Sequence, residues 1–198
     1  IKLSTSGEHL SIMELGIYNK DGELLRPSNA SDANISKMFD EQDLIPLRQS
    51  YMNSTYFDEI YHARTAYEFI HHLPVYEWTH PPLGKVFISI GIRLFGMTPF
   101  GWRIIGTLFG IFMIPIIYVF AKSILKKQWL TVLTSILLTF DFMHFAQTRI
   151  ATIDVYVTFF IMLMYYFMYR YSKTSFNDTP VIKTLIPLSL SGICMGLG

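Results

Sequence analysis

Apolar positions change their rhythm three times along this chain. Over residues 1–27 they alternate in the β manner around Met13, Leu15 and Ile17, and Lys20-Asp21-Gly22-Glu23 predicts a hairpin turn before Leu24-Leu25. Residues 28–54 are polar and loop-like. From Thr55 to His72 the spacing of Ile60, Ala63, Tyr67 and Ile70 predicts a helix with one apolar face. Pro81 and Pro82 open a second short helix over 83–95, which is too short to cross a bilayer core of about 30 Å and is expected to lie in the interface.

Beyond residue 100 the apolar positions merge into long runs. Transmembrane spans are predicted at about 104–121, 129–147, 153–170 and 181–198, the last one cut short. The first carries no charge and has a Gly106-xxx-Gly110 packing face and an internal Pro115. The expected organisation is an extracytoplasmic β-like segment over 1–54, read as the end of an inserted module. A first extracytoplasmic loop follows over 55–100, and membrane spans over 101–198. Because the chain opens on Ile1 and stops at Gly198 inside an apolar run, it is expected to be a piece of a longer protein.

Composition supports a membrane reading. The chain is 51% hydrophobic and only 16% charged, against roughly 25% charged in soluble domains. Residues 1–77 hold twelve acidic and six basic side chains, residues 78–198 three and ten. The basic residues are spread over loops rather than gathered on one surface, which argues against nucleic acid as a partner. One cysteine, Cys194, excludes a disulfide framework and a thiolate metal site within this chain. Lys122, Lys126 and Lys127 follow the first span, and Arg170, Lys173 and Lys183 follow the third; the positive-inside rule makes both loops cytoplasmic. Residues 1–100 and the Thr148–Thr152 loop are then outside.

Candidate chemistry gathers on that outer side. Asp58 and Glu59 form an acidic doublet at the start of a helix, where they serve either the helix dipole or catalysis. Lys85 stands in a first helical turn, where a cation opposes the dipole but suits an anion site. Arg103 and Arg149 also lie outside, against the positive-inside bias, and three such cations beside an acidic cluster point to a phosphate or pyrophosphate ligand at the membrane surface. Asp154 sits at the outer end of a span, where it can serve simply as a helix-dipole partner or as an ion pair with Arg149. His71, His72 and His80 are close in sequence, yet none shows a recognised metal-ligand spacing with a carboxylate.

The segments Tyr56-Phe57-Asp58-Glu59, Tyr61-His62-Ala63, His80-Pro81-Pro82-Leu83-Gly84-Lys85, Phe95-Gly96, Phe100-Gly101-Trp102-Arg103 and Arg149-Ile150-Ala151-Thr152-Ile153-Asp154, in this order, resemble the protein O-mannosyltransferase family. More broadly they resemble the lipid-carrier-dependent glycosyltransferases of the GT-C fold, an all-α, multi-span membrane bundle. The resemblance covers residues 55–198, the N-terminal catalytic part of such enzymes. It implies transfer of a sugar, usually mannose, from a polyprenyl-phosphate donor to Ser or Thr of a protein acceptor, with inversion. The membrane would be the cell membrane in a bacterium and the endoplasmic reticulum in a eukaryote, with the active site extracytoplasmic. By motif, Asp58 would be the general base and Glu59 its orienting partner, with Lys85, Arg103 and Arg149 holding the donor phosphate. A divalent ion near Asp58 and Asp154, with His80 as a further candidate, is compatible with related enzymes. The competing readings are a GT-C transferase with a lipid or cell-wall glycan acceptor, and a non-catalytic transporter or scaffold subunit.

Overall fold

The structure, a computed structural model, describes residues 15–26, 36, 38, 39, 42–46, 48, 50–174 and 180–198. It divides into two units, residues 1–53 and 54–198. In the first, the turn expected at Lys20–Glu23 is present: Gly22 takes φ +81°, and Asn19 N donates to Glu23 O at 3.0 Å. The β-like expectation is otherwise corrected. Among the described residues it amounts to one isolated antiparallel bridge, Tyr18 to Leu24, and no strand. The alternation over residues 1–14 lies outside the described residues. Side-chain bonds close this unit instead, with Tyr18 Oη donating to Pro46 O and Gln42 Nε2 to Leu15 O, both at 2.9 Å.

The second unit is helical. Its elements are α1 (Glu59–His71), α2 (Pro82–Phe95), α3 (Pro99–Ile124), α4 (Gln128–Thr139), α5 (Phe142–Gln147), α6 (Asp154–Ser172) and α7 (Val181–Leu197). His72, in the left-handed conformation, ends α1, and Leu73 N closes back onto Glu68 O. Thr98 starts α3 by accepting from Gly101 N at 3.1 Å, with Pro99 in the first turn, where its missing N–H costs nothing. Successive helices pack on each other, α1 on α2 and α2 on α3, while α6 lies against both α3 and α7.

Helix α3 has 26 residues, hence a length of about 39 Å. Among the described residues it is the one helix long and apolar enough to cross a membrane. The apolar run expected as a single span over 129–147 is broken. Asp141 turns out of the helix and accepts from His144 N at 2.7 Å, so α4 stops at Thr139 and α5 starts at Phe142. Helices α4 and α7 are apolar but have only 12 and 17 residues.

The core lies where α1, α2, α3 and α6 meet. Ala63 and Ala66 of α1, Ile88 and Ile92 of α2, Trp102 and Met113 of α3, and Val155 and Tyr156 of α6 are buried in one cluster. An aromatic group of Phe87, Phe109, Tyr156 and Phe160 fills its α2–α3–α6 side, with ring centroids 4.9–6.2 Å apart. Glycines allow the close approach. A Cβ on Gly91 would lie 2.2 Å from Gly101 O, and one on Gly110 would lie 2.5 Å from the Thr148 side chain.

Candidate active site

The acidic doublet divides its labour. Glu59, the first residue of α1, is fully buried. Its Oε1 accepts from Arg103 Nε at 2.7 Å and from Ala151 N at 2.7 Å; its Oε2 accepts from Arg103 Nη2 at 2.6 Å and from Tyr56 N at 2.7 Å. Arg103 Nη2 also donates to Ser54 O at 3.0 Å. This two-pronged pair joins the start of α1, the first turns of α3 and the loop before α6. Buried charges of this kind persist because their hydrogen bonds are filled.

Asp58, one residue earlier, is half-buried and makes no side-chain cap hydrogen bond. The capping role open to it in the sequence is therefore not the one it takes. It follows Phe57, an exposed residue held at φ 53°, a conformation that side chains other than glycine adopt only at a cost of order 1–3 kcal/mol. A strained residue, an uncapped carboxylate and a rigid anchor beneath it together make a corner that presents one acid to its surroundings.

Lys85 is placed differently from an open anion site. It is buried, and its ammonium meets the Glu77 carboxylate, Glu77 O at 3.0 Å and His80 O at 3.3 Å. Three acceptors match the three donors of an ammonium. Glu77 is held in place by the connection between α1 and α2. Glu68 on α1 accepts from Tyr76 N at 2.9 Å and from Arg64 Nε at 2.9 Å, and the Arg64 guanidinium lies over the Tyr76 ring. Burial alone would raise the Glu77 pKa, but hydrogen bonds from Lys85, Thr79 and His80 outweigh it and hold the carboxyl well below the ordinary range.

The remaining expected residues separate. Arg149 is exposed, with its guanidinium 4.7 Å from the centre of the Phe145 ring. Asp154 is exposed in the first turn of α6 and lines a cavity of about 380 Å³ with Met113, Met143, His144 and Thr158. It does not share the cluster that brings His80 to His62 and Glu77.

The sequence assigned no role to Glu77, and named His62 only within the Tyr61-His62-Ala63 segment. His62 stands four residues after Asp58, on the same face of α1, so helical spacing could have brought it forward. It is buried, and burial lowers its pKa; the charges of His80 and Lys85 act the same way, while Asp58 and Glu77 oppose them. Glu77 lies eight residues before Lys85 in an irregular connection, where no periodicity signals a pair.

Residues 79–197 match the family described as dolichyl-phosphate-mannose-protein mannosyltransferase. The chain is 30% identical over 112 residues to a Mycobacterium tuberculosis protein named polyprenol-phosphate-mannose–protein mannosyltransferase, an alignment covering 54% of this chain and 22% of that relative. A protein of the same name from Mycolicibacterium smegmatis is 30% identical over 110 residues, covering 52% and 21%. One from Corynebacterium glutamicum is 34% identical over 82 residues, covering 41% and 16%. The chain thus spans about a fifth of the length of these relatives. No solved structure matches it. With most of α2 to α7 inside the matched region, the chain belongs to the dolichyl-phosphate-mannose-protein mannosyltransferase family.

Proposed function

We propose that this chain is part of an integral-membrane glycosyltransferase that moves mannose from a polyprenyl-phosphate carrier to a Ser or Thr hydroxyl of a protein. The names of the relatives support the donor and the protein acceptor. The basic loops after α3 and α6 support an orientation with the start of α1 on the extracytoplasmic face, and the length and apolar surface of α3 support its crossing the membrane.

One observation carries the assignment of roles: Asp58 presents its carboxylate at a corner fixed by the Glu59–Arg103 pair. Asp58 takes the proton from the acceptor hydroxyl as that oxygen attacks the anomeric carbon. The bond from that carbon to the phosphate oxygen breaks, its electron pair leaves with the polyprenyl phosphate, and the anomeric centre inverts. Glu59 orients the base through the backbone it anchors. Arg149 is an exposed cation suited to the leaving phosphate. Lys85 contributes to that site once its ammonium exchanges a carbonyl or carboxylate partner for phosphate.

The test is transfer from radiolabelled polyprenyl-phosphate mannose to a Ser- or Thr-containing protein. Asp58→Asn lowers turnover by roughly 10²–10⁴-fold while the protein still inserts and binds donor. Near-normal turnover in that variant overturns the assignment.

A further inference from the structure

Below the Asp58 corner, three side chains form a cluster that the transfer chemistry does not use. His62 comes from α1, and Glu77 and His80 from the connection to α2. One ligand atom from each, two imidazole nitrogens and a carboxylate oxygen, lies within 4.8 Å of the other two. His80 Nδ1 stands 3.2 Å from Glu77 Oε1, and the His62 and His80 rings meet edge to face with centroids 5.2 Å apart. His62 is 2% exposed, and its Nδ1 has no hydrogen-bond partner among the described residues. A buried ring nitrogen left unpaired costs stability, so its retention calls for a reason.

We propose that His62, Glu77 and His80 form a binding site for a divalent transition-metal ion of the zinc type. This goes beyond the sugar-transfer reading and does not rest on it. Two imidazoles and one carboxylate are a recognised zinc donor set that leaves a fourth position open, whereas calcium and magnesium favour oxygen-only shells. Ligand atoms about 2.0–2.2 Å from a tetrahedral ion stand roughly 3.4 Å apart. The His80–Glu77 separation already has that scale. The half-exposed His80 side chain has the freedom to close the rest.

The surroundings suit a cation despite the neighbouring ammonium. Lys85 is matched by Glu77 Oε2, which leaves Oε1 to face His80. Thr79 N at 2.5 Å, the Thr79 hydroxyl and His80 N at 3.2 Å donate to that same Oε1 and fix its direction, as outer-shell donors do around metal carboxylates. A cavity of about 220 Å³, lined by Trp78 and Lys85 among others, reaches two of the three ligands, Glu77 and His80. An ion here would fasten the α1–α2 connection to α1, one helical turn from Asp58.

The test needs neither donor nor acceptor. The protein, purified in detergent and stripped with chelator, is incubated with zinc or cobalt, desalted, and its metal measured by mass spectrometry. The wild type is expected to retain zinc at a stoichiometric level and to give the intense visible bands of four-coordinate cobalt. His80→Ala, a change at a solvent-facing side chain, is expected to drop retention to background with the fold intact by circular dichroism; His62→Gln is expected to do the same. Zinc should raise the melting temperature of the wild type but not of His80→Ala. Equal zinc retention by the wild type and His80→Ala overturns the proposal. Loss of transfer in Asp58→Asn leaves this result untouched, and absence of metal leaves the transfer reading untouched.

Discussion

Glu59 and Lys85 show how a charge inside this protein earns its place. Each is buried and each meets an opposite charge, with backbone groups filling its remaining hydrogen bonds. Removing one partner of such a pair strands the other without water. Arg103→Met and Glu59→Gln are each expected to lower stability by about 3–5 kcal/mol, and Lys85→Met to do likewise by leaving Glu77 uncompensated. Thermal unfolding in detergent reads these losses. Because Lys85 and Arg103 hold different carboxylates, the double variant should lose the sum of the two single losses. A double variant no worse than either single one would mean that both cations grip a common ligand. Lys85 also reverses a simple expectation from its position. A lysine in a first turn opposes the helix dipole, yet here its ion pair and burial dominate, so removing it weakens the fold.

At the scale of elements, close helix packing rests on a few small residues. Gly106 and Gly110 both sit on the buried face of α3, but they are not equivalent. A Cβ on Gly106 would meet Val155 Cγ1 at 3.4 Å, an ordinary contact, whereas one on Gly110 would lie 2.5 Å from Thr148. Gly110→Ala is expected to cost about 1–3 kcal/mol through overpacking, while Gly106→Ala should change the melting temperature little. Matching losses from the two would contradict this packing. The helical periodicity of α1, the prolines that open α2 and the uncharged run in α3 were legible in the sequence, because each is a local pattern. The break at Phe140–Asp141 was not, since hydropathy averages over a single capping aspartate. Asp58 was legible as half of an acidic doublet at a helix start. The separate fate of Glu59 was hidden because its partners stand 44 and 92 residues away. The Lys85–Glu77 pair was hidden by the irregular connection between them.

For the molecule as a whole, the proposed orientation makes a direct prediction. Thr79, Gln147 and Lys126 are exposed, while Cys194, the chain's single cysteine, is buried. Cysteines at Thr79 and Gln147 should react with a membrane-impermeant thiol reagent added outside intact cells, and one at Lys126 should not. The reverse pattern would place the Asp58 corner on the cytoplasmic side and end the case for extracytoplasmic transfer.

The carboxylate of Glu59 also sets an order of events during synthesis. Its partners Arg103 and Ala151 leave the ribosome long after it does, and Ala151 lies beyond α3, α4 and α5. Until that stretch has been made and inserted, Glu59 lacks part of its hydrogen-bonding shell and the Asp58 corner has no fixed geometry. On the proposed roles, a nascent chain stays catalytically silent through its early insertion. A chain stopped before Ala151 carries Asp58 without the complete Glu59 anchor behind it.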